Sequence, residues 1–449
     1  MTLLRRAPEF RLLFAATAAS AVGTYLAAIA LSVDVYDRTG SGRWLALLLI
    51  ADFAPIVVIG LTLGPLIDRL SRRRLMIGAD LARAAVFCAL PLVSSPHAIV
   101  ALAALSGIAT GFFRPAVYAG LPNLVKDEDL TEANSLFSSV ENLAWMIGPV
   151  IGGMLLAVQG PDAAYWINAA TFIVSALFVY RIPSRGLQSV ESLSRGHWRD
   201  VRDGLNLVRR SRSLLAVMCV WNVVLLGNAA INVPEVVFAK DSLGAGNVGL
   251  GILVGATGLG LTAGSFFAAT LLGTIGMRWL YGTSITLMAA GYAAASLAPE
   301  MWLAAPLAAV ATAGNGCALV CNQLLVQRGS PDAFRGRALA VLFSTFYATL
   351  GIGMGVAGFM TDALGGRAMW RLGALVYLCG AVAAFVVMRW HAGAEEVDEH
   401  RQQEETQEAR ALFRVLAARR QGELGLEPLV RSDAVEAGTL ARQVPDSGT

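Results

Sequence analysis

Residues 64–74 read Gly64-Pro65-Leu66-Ile67-Asp68-Arg69-Leu70-Ser71-Arg72-Arg73-Arg74 and lie between two long apolar runs, 44–67 and 75–94. Gly64 permits close approach of two helices. Asp68, where the chain leaves the membrane, can accept bonds from a neighbouring helix N-terminus, and the arginines anchor the loop inside. A plain positive-inside stop signal explains the arginines but leaves Gly64 and Asp68 at this spacing without a reason. Each flanking run is long enough to cross a hydrocarbon core of roughly 30 Å, which takes about 20 apolar residues.

Ten further runs qualify. The twelve expected spans are 11–35, 44–67, 75–94, 98–122, 134–158, 163–181, 213–238, 247–272, 277–297, 302–327, 338–362 and 369–390. The whole chain agrees: of 449 residues 56% are hydrophobic and 15% charged, against roughly 45–50% and about 25% in soluble domains. This excludes a soluble enzyme, a disordered chain and a disulfide scaffold, and a net charge of +3 is too small for nucleic-acid binding. The predicted fold class is all-α integral membrane. With both termini cytoplasmic the inner loops hold twenty Lys and Arg and the outer loops five, Arg38, Arg43, Lys240, Arg367 and Arg371. That bias sets the topology. Only two of the 35 basic residues are Lys, a composition that points to a GC-rich bacterial source and so to a bacterial inner membrane.

A shift of 203 residues lays 129–136 on 332–339, Gly148 on Gly351 and Gly152 on Gly355, joining the loop after span 4 to the loop after span 10. Two six-helix halves, 1–185 and 213–390, are therefore expected, with a cytoplasmic linker over 186–212. Residues 391–449 carry twelve acids and seven arginines, an acidic tail read as largely disordered with a short amphipathic helix as the other reading. The N-terminal Arg5, Arg6 and Arg11 are read as the basic flank of a first span rather than a signal peptide. The five cysteines sit inside apolar runs as buried fillers, and Cys317 and Cys321 share a helical face with no His or acid beside them, so no metal site is expected.

The 64–74 loop resembles the G-x-L-A-D-R-x-G-R-R-x signature of the major facilitator superfamily, with Ile67 and Ser71 departing from it. The resemblance implies a gating role for Gly64, Asp68, Arg69, Arg72, Arg73 and Arg74, and a fold of two pseudo-symmetric six-helix bundles. Gly148-Pro149-Val150-Ile151-Gly152-Gly153 is similar to the superfamily's antiporter element, although a packing role fits the same residues. Residues 78–84, 111–116 and 132–136, with 329–337, look like the bacterial efflux branch that carries macrolides and siderophores. The likeness covers about 8–390.

Ionisable groups within spans are expensive and informative. Asp52 has no basic residue within a helical turn and is the first proton-coupling candidate, with Glu141 and Glu235 behind it. Asp80, Arg83, Arg114 and Glu141 fall at similar depth and read as a structural charge network, or alternatively a proton or gating relay. Asp34, near a span end, is expected to snorkel to the interface. Asn228, Asn232 and Glu235 at i, i+4, i+7, Asn315 and Asn322 at i, i+7, and Tyr25 are cavity candidates; interhelical bonding or packing is the other reading. Trp145 and Trp221 could stack on substrate or pack.

Nucleotide-binding and hydrolase motifs are missing from the sequence, so an ion gradient is the expected energy source, without a cofactor. The expectation is a monomeric, non-enzymatic exporter of a bulky, mostly apolar small molecule, antibiotic, drug or siderophore, exchanged for protons by alternating access. An uptake carrier or uniporter on the same fold, and a non-transporting adaptor acting through the tail, are the alternatives.

Overall fold

The computed structural model describes residues 2–62, 70–183, 187, 208–209, 211–329 and 335–388. Among these every regular element is a helix. The first half comprises α1 (Pro8–Thr39), α2 (Gly42–Thr62), α3 (Arg72–Ala89), α4 (Pro96–Gly120), α5 (Leu130–Gln159) and α6 (Pro161–Tyr180). The second comprises α7 (Arg212–Asn232), α8 (246–275), α9 (277–297), α10 (Met301–Gly329), α11 (Arg335–Leu364) and α12 (Gly366–Met388). The described residues thus form twelve crossings in two six-helix bundles.

Local chemistry sets the boundaries. Pro8, Pro96 and Pro161 open α1, α4 and α6, where a missing N–H costs nothing because the first turn has no intrahelical acceptor for it. One limit differs from expectation. The apolar pattern carries span 7 to 238, but α7 stops at Asn232: Pro234 has no N–H to give, and residues 235–237 form a separate turn leading into a π-helical turn, Phe238–Ser242. Hydropathy separates spans 8 and 9, and the two helices part at a kink at Gly276, whose φ of 75° and ψ of 162° are non-helical and open to glycine.

Many large apolar side chains lie on the outside. Phe266 is 77% exposed, Trp302 70% and Ile352 69%. In water such a surface would be a liability, and in lipid it needs no partner.

Within the first half α1 packs on α5 and α6, α2 on α4, and α3 on α4 and α6. In the second, α7 packs on α11 and α10. The bundles meet through α5 against α8 and α2 against α11. The α5–α8 crossing is glycine on glycine: a Cβ on Gly153 would stand 2.9 Å from the Gly251 Cα, and one on Gly251 2.7 Å from the Pro149 carbonyl oxygen. Gly148 and Gly152 serve another face, seating α5 on Tyr25 and Leu26 of α1. The repeat-related Gly351 and Gly355 touch nothing comparable, so the halves share helix order but not this contact.

Candidate functional site: a central cavity and its closed end

Two cavities meet at α1. One, of about 330 Å³, lies between the bundles and is walled by Tyr25, Trp145, Asn228, Asn232, Glu235 and Asn315. The other, of about 360 Å³, lies inside the first half, and its polar wall includes Asp52, Arg83, Arg114 and Glu141. Tyr25 and Ala28 line both. Hydroxyls of Thr17, Thr24 and Thr110, which line the first-half space, donate to carbonyls four residues back on their own helices.

The four ionisable groups expected to form one network form two pairs. Arg83 bonds Asp80, one helical turn away on α3, and its guanidinium lies 4.3 Å from the ring centroids of both Phe113 and Phe172. Arg114 Nη2 donates to Glu141 Oε1 at 3.0 Å, joining α4 to α5. Sequence spacing leaves Asp52 without a basic neighbour; helix packing brings Arg83 of α3 to the same cavity wall.

The break after α7 does not remove Glu235 from the company of Asn228 and Asn232, since the helical path resumes past Pro234 and all three line the cavity between bundles. Asn228 Oδ1 accepts from the Tyr377 hydroxyl at 2.8 Å. Asn315 reaches the same cavity, but Asn322, on its helical face, is buried and accepts from the Tyr281 hydroxyl at 2.6 Å. It lines neither cavity. Trp221 belongs to the buried core.

Of the 64–74 loop, Gly64, Asp68 and Arg69 lie outside the described residues. Arg72 Nη1 donates to the carbonyls of Ala119 at 2.8 Å and Leu187 at 3.0 Å, tying the start of α3 to the end of α4 and to the chain beyond α6. Arg73 bonds the Tyr180 carbonyl and stacks over that ring. Arg74 is exposed.

Sequence reasoning misses a polar latch at the end of the bundles that carries the α1–α2 turn. Lys240 Nζ stands 2.5 Å from Asp37 Oδ1, and the Tyr36 hydroxyl bonds Asp241. Asp362, on α11, accepts from Ser41 Oγ at 2.9 Å, Arg43 Nε at 2.6 Å and the Gly42 amide. Asp37 and Lys240 are 203 residues apart, the repeat shift itself, a signal present in the sequence. Asp34 does not snorkel: it is 5% exposed and accepts from Arg38 Nε at 2.7 Å and the Tyr165 hydroxyl at 3.0 Å.

The profile of the Transmembrane secretion effector family, within the major facilitator superfamily, matches residues 4–422. The chain belongs to this family. As a secretion-effector protein it is a multi-pass membrane transporter of the efflux branch and not an enzyme. It is 24% identical over 388 residues to macrolide efflux protein A of Streptococcus pyogenes, covering 83% of this chain and 94% of that protein. It is 26% identical over 401 residues to the multidrug efflux pump Tap of Mycolicibacterium fortuitum, covering 86% and 97%. Its fold matches the crystal structure of a bacterial homologue of the human lysosomal transporter Spinster, with a TM-score of 0.70 at 14% identity over 85% of this chain and 97% of that one.

Proposed function

We propose that this secretion-effector protein exports bulky, mostly apolar small molecules, antibiotics and other drugs among them, in exchange for protons by alternating access. The observation that carries the reading is the cavity between the bundles, walled by amides and aromatic rings and sharing Tyr25 and Ala28 as wall with a second cavity that holds Asp52. A cargo site and a titratable carboxylate thereby lie on either side of a shared wall without being the same place. The similarity to macrolide and multidrug efflux proteins supports the direction and the cargo class.

The described polar contacts between the bundles lie at the latch end. With both termini cytoplasmic, that end is the outer one. Cargo enters from the cytoplasm. Separation of Asp362 from Arg43 and of Asp37 from Lys240 then opens the outer side, while the 64–74 loop locks the inner one. Asp52 takes a proton from outside and returns it inside, with Glu141 and Glu235 as further acids on the route. The bundles 1–185 and 213–390 move as bodies about the linker 186–212. Efflux of a fluorescent drug from expressing cells should stop when a protonophore collapses the gradient, and Asp52→Asn should lower it at least about tenfold with expression unchanged. Unaltered efflux in either case overturns proton exchange.

A further inference from the structure

Charge is unevenly compensated across the two neighbouring cavities. On the first-half side Glu141 is paired with Arg114, and Asp52 shares its wall with Arg83. Between the bundles the wall carries, among the described residues, one carboxylate, Glu235, and no Lys, Arg or His; its other titratable groups are Tyr25 of α1 and Tyr292 of α9. A second observation stands beside this one. Asn315 Oδ1, from α10, is buried on the same wall with no hydrogen-bond partner among the described residues, whereas Asn228 Oδ1 is already occupied by Tyr377.

An uncompensated carboxylate and an unfilled amide carbonyl in one confined space both call for a donor that carries positive charge. The wall supplies the rest of the recognition: the indole of Trp145 and the ring of Tyr25 offer apolar area and π faces that favour a cation nearby. A bare metal ion is a poor match, since no group of three His, Cys, Asp or Glu side chains occurs among the described residues.

We infer that the cavity between the bundles is a subsite for the protonated amine of an amphiphilic cargo, the ammonium on Glu235, one N–H donated to Asn315 Oδ1, and the apolar body against Trp145 and Tyr25. The inference rests on the export reading for what the cavity is for, and it narrows the cargo from bulky apolar molecules to bulky amphiphilic amines. It also gives Glu235 a definite part in exchange. One carboxylate holds either the ammonium or a proton, so loading one displaces the other.

The test is a fluorescence titration of the purified full-length protein, in nanodiscs without a gradient, with monodansylcadaverine and with its N-acetyl derivative, which keeps the aromatic body and loses the charge. The wild type should bind the amine at least about tenfold more tightly than the acetylated probe. Glu235→Gln should bring the two probes to within about twofold, Glu235→Asp should keep the preference, and Asn315→Leu should weaken the amine alone. Equal affinity of the wild type for both probes, or a full preference surviving in Glu235→Gln, overturns the subsite. Should Glu235→Gln fail to fold, the wild-type preference and the Asn315→Leu effect decide the matter. Efflux of the amine from cells is a separate arm: Glu235-dependent binding without efflux refutes export and leaves the subsite standing, whereas efflux of both probes alike, without preference in binding, leaves export standing and refutes the subsite.

Discussion

Single residues show where burial outweighs sequence position. Asp34 lies one turn from the end of α1, close enough for a free carboxylate to reach water, yet Tyr165 and Arg38 hold it inside. Tyr165 reaches it because Gly23 brings α1 tight against α6, where a Cβ would collide with Thr171 Oγ1. Replacing Asp34 by Ala leaves the Tyr165 hydroxyl buried without its acceptor, and because Arg38 remains partly exposed the expected loss is about 1–3 kcal/mol, read as a lower unfolding temperature in detergent. Tyr165→Phe should lose less, about 1 kcal/mol. Equal stability of both variants with the wild type would show that the pair is incidental. At the proposed coupling site the contrast lies between Asp52, which shares a wall with Arg83, and Glu141, which is directly paired. Glu141→Gln should reduce expression or stability as well as transport, whereas Asp52→Asn should leave the fold intact and uncouple.

Helices are legible in the sequence to the extent that the bilayer dictates them. A run of about 20 apolar residues has few other uses, so hydropathy places the twelve spans to within a few residues. What hydropathy does not carry is how a span ends or what it touches. Pro234 stands within an apolar run whose i, i+4, i+7 pattern continues across it, and the missing N–H decides the break. Asn315 and Asn322 share a face, but about 10 Å of helix separates them, enough for one to meet the cavity and the other Tyr281. The glycine crossing is half visible: Gly153 stands out on α5, while Gly251, Gly255 and Gly258 on α8, at spacings of four and three, are lost in a glycine-rich run. Gly153→Leu would force α5 and α8 apart, because its Cβ would stand 2.6 Å from the Asn247 carbonyl oxygen. Overpacking of this kind costs about 1–3 kcal/mol, so the variant should unfold at lower temperature and expose cysteines placed at the latch end to labelling. Wild-type stability and protection would contradict the crossing.

At the scale of the molecule, the proposed cycle divides the work between the latch, an end that closes, and the cavities, a space that binds. Asp37 and Lys240 occupy equivalent positions in the two halves and meet each other, so the latch sits where the repeats face across the bundle boundary. Lys240→Asp sets like charges together there and should shift the population toward opening at that end, seen as a longer spin-label distance between the 37–43 and 240–246 segments. The double variant Asp37→Lys with Lys240→Asp should restore the shorter distance. No change in the single variant would mean that the latch does not hold the closed end. The claim that ties these parts together is exchange of cargo for protons, and it is tested most directly in sealed proteoliposomes of the purified protein, without nucleotide, across an imposed pH gradient. Monodansylcadaverine should accumulate above its equilibrium level on the acidic side, more than in protein-free liposomes, and Asp52→Asn should abolish the excess. Accumulation equal to that of protein-free liposomes, with equilibration merely faster, would make the protein a passive carrier and contradict proton-coupled export.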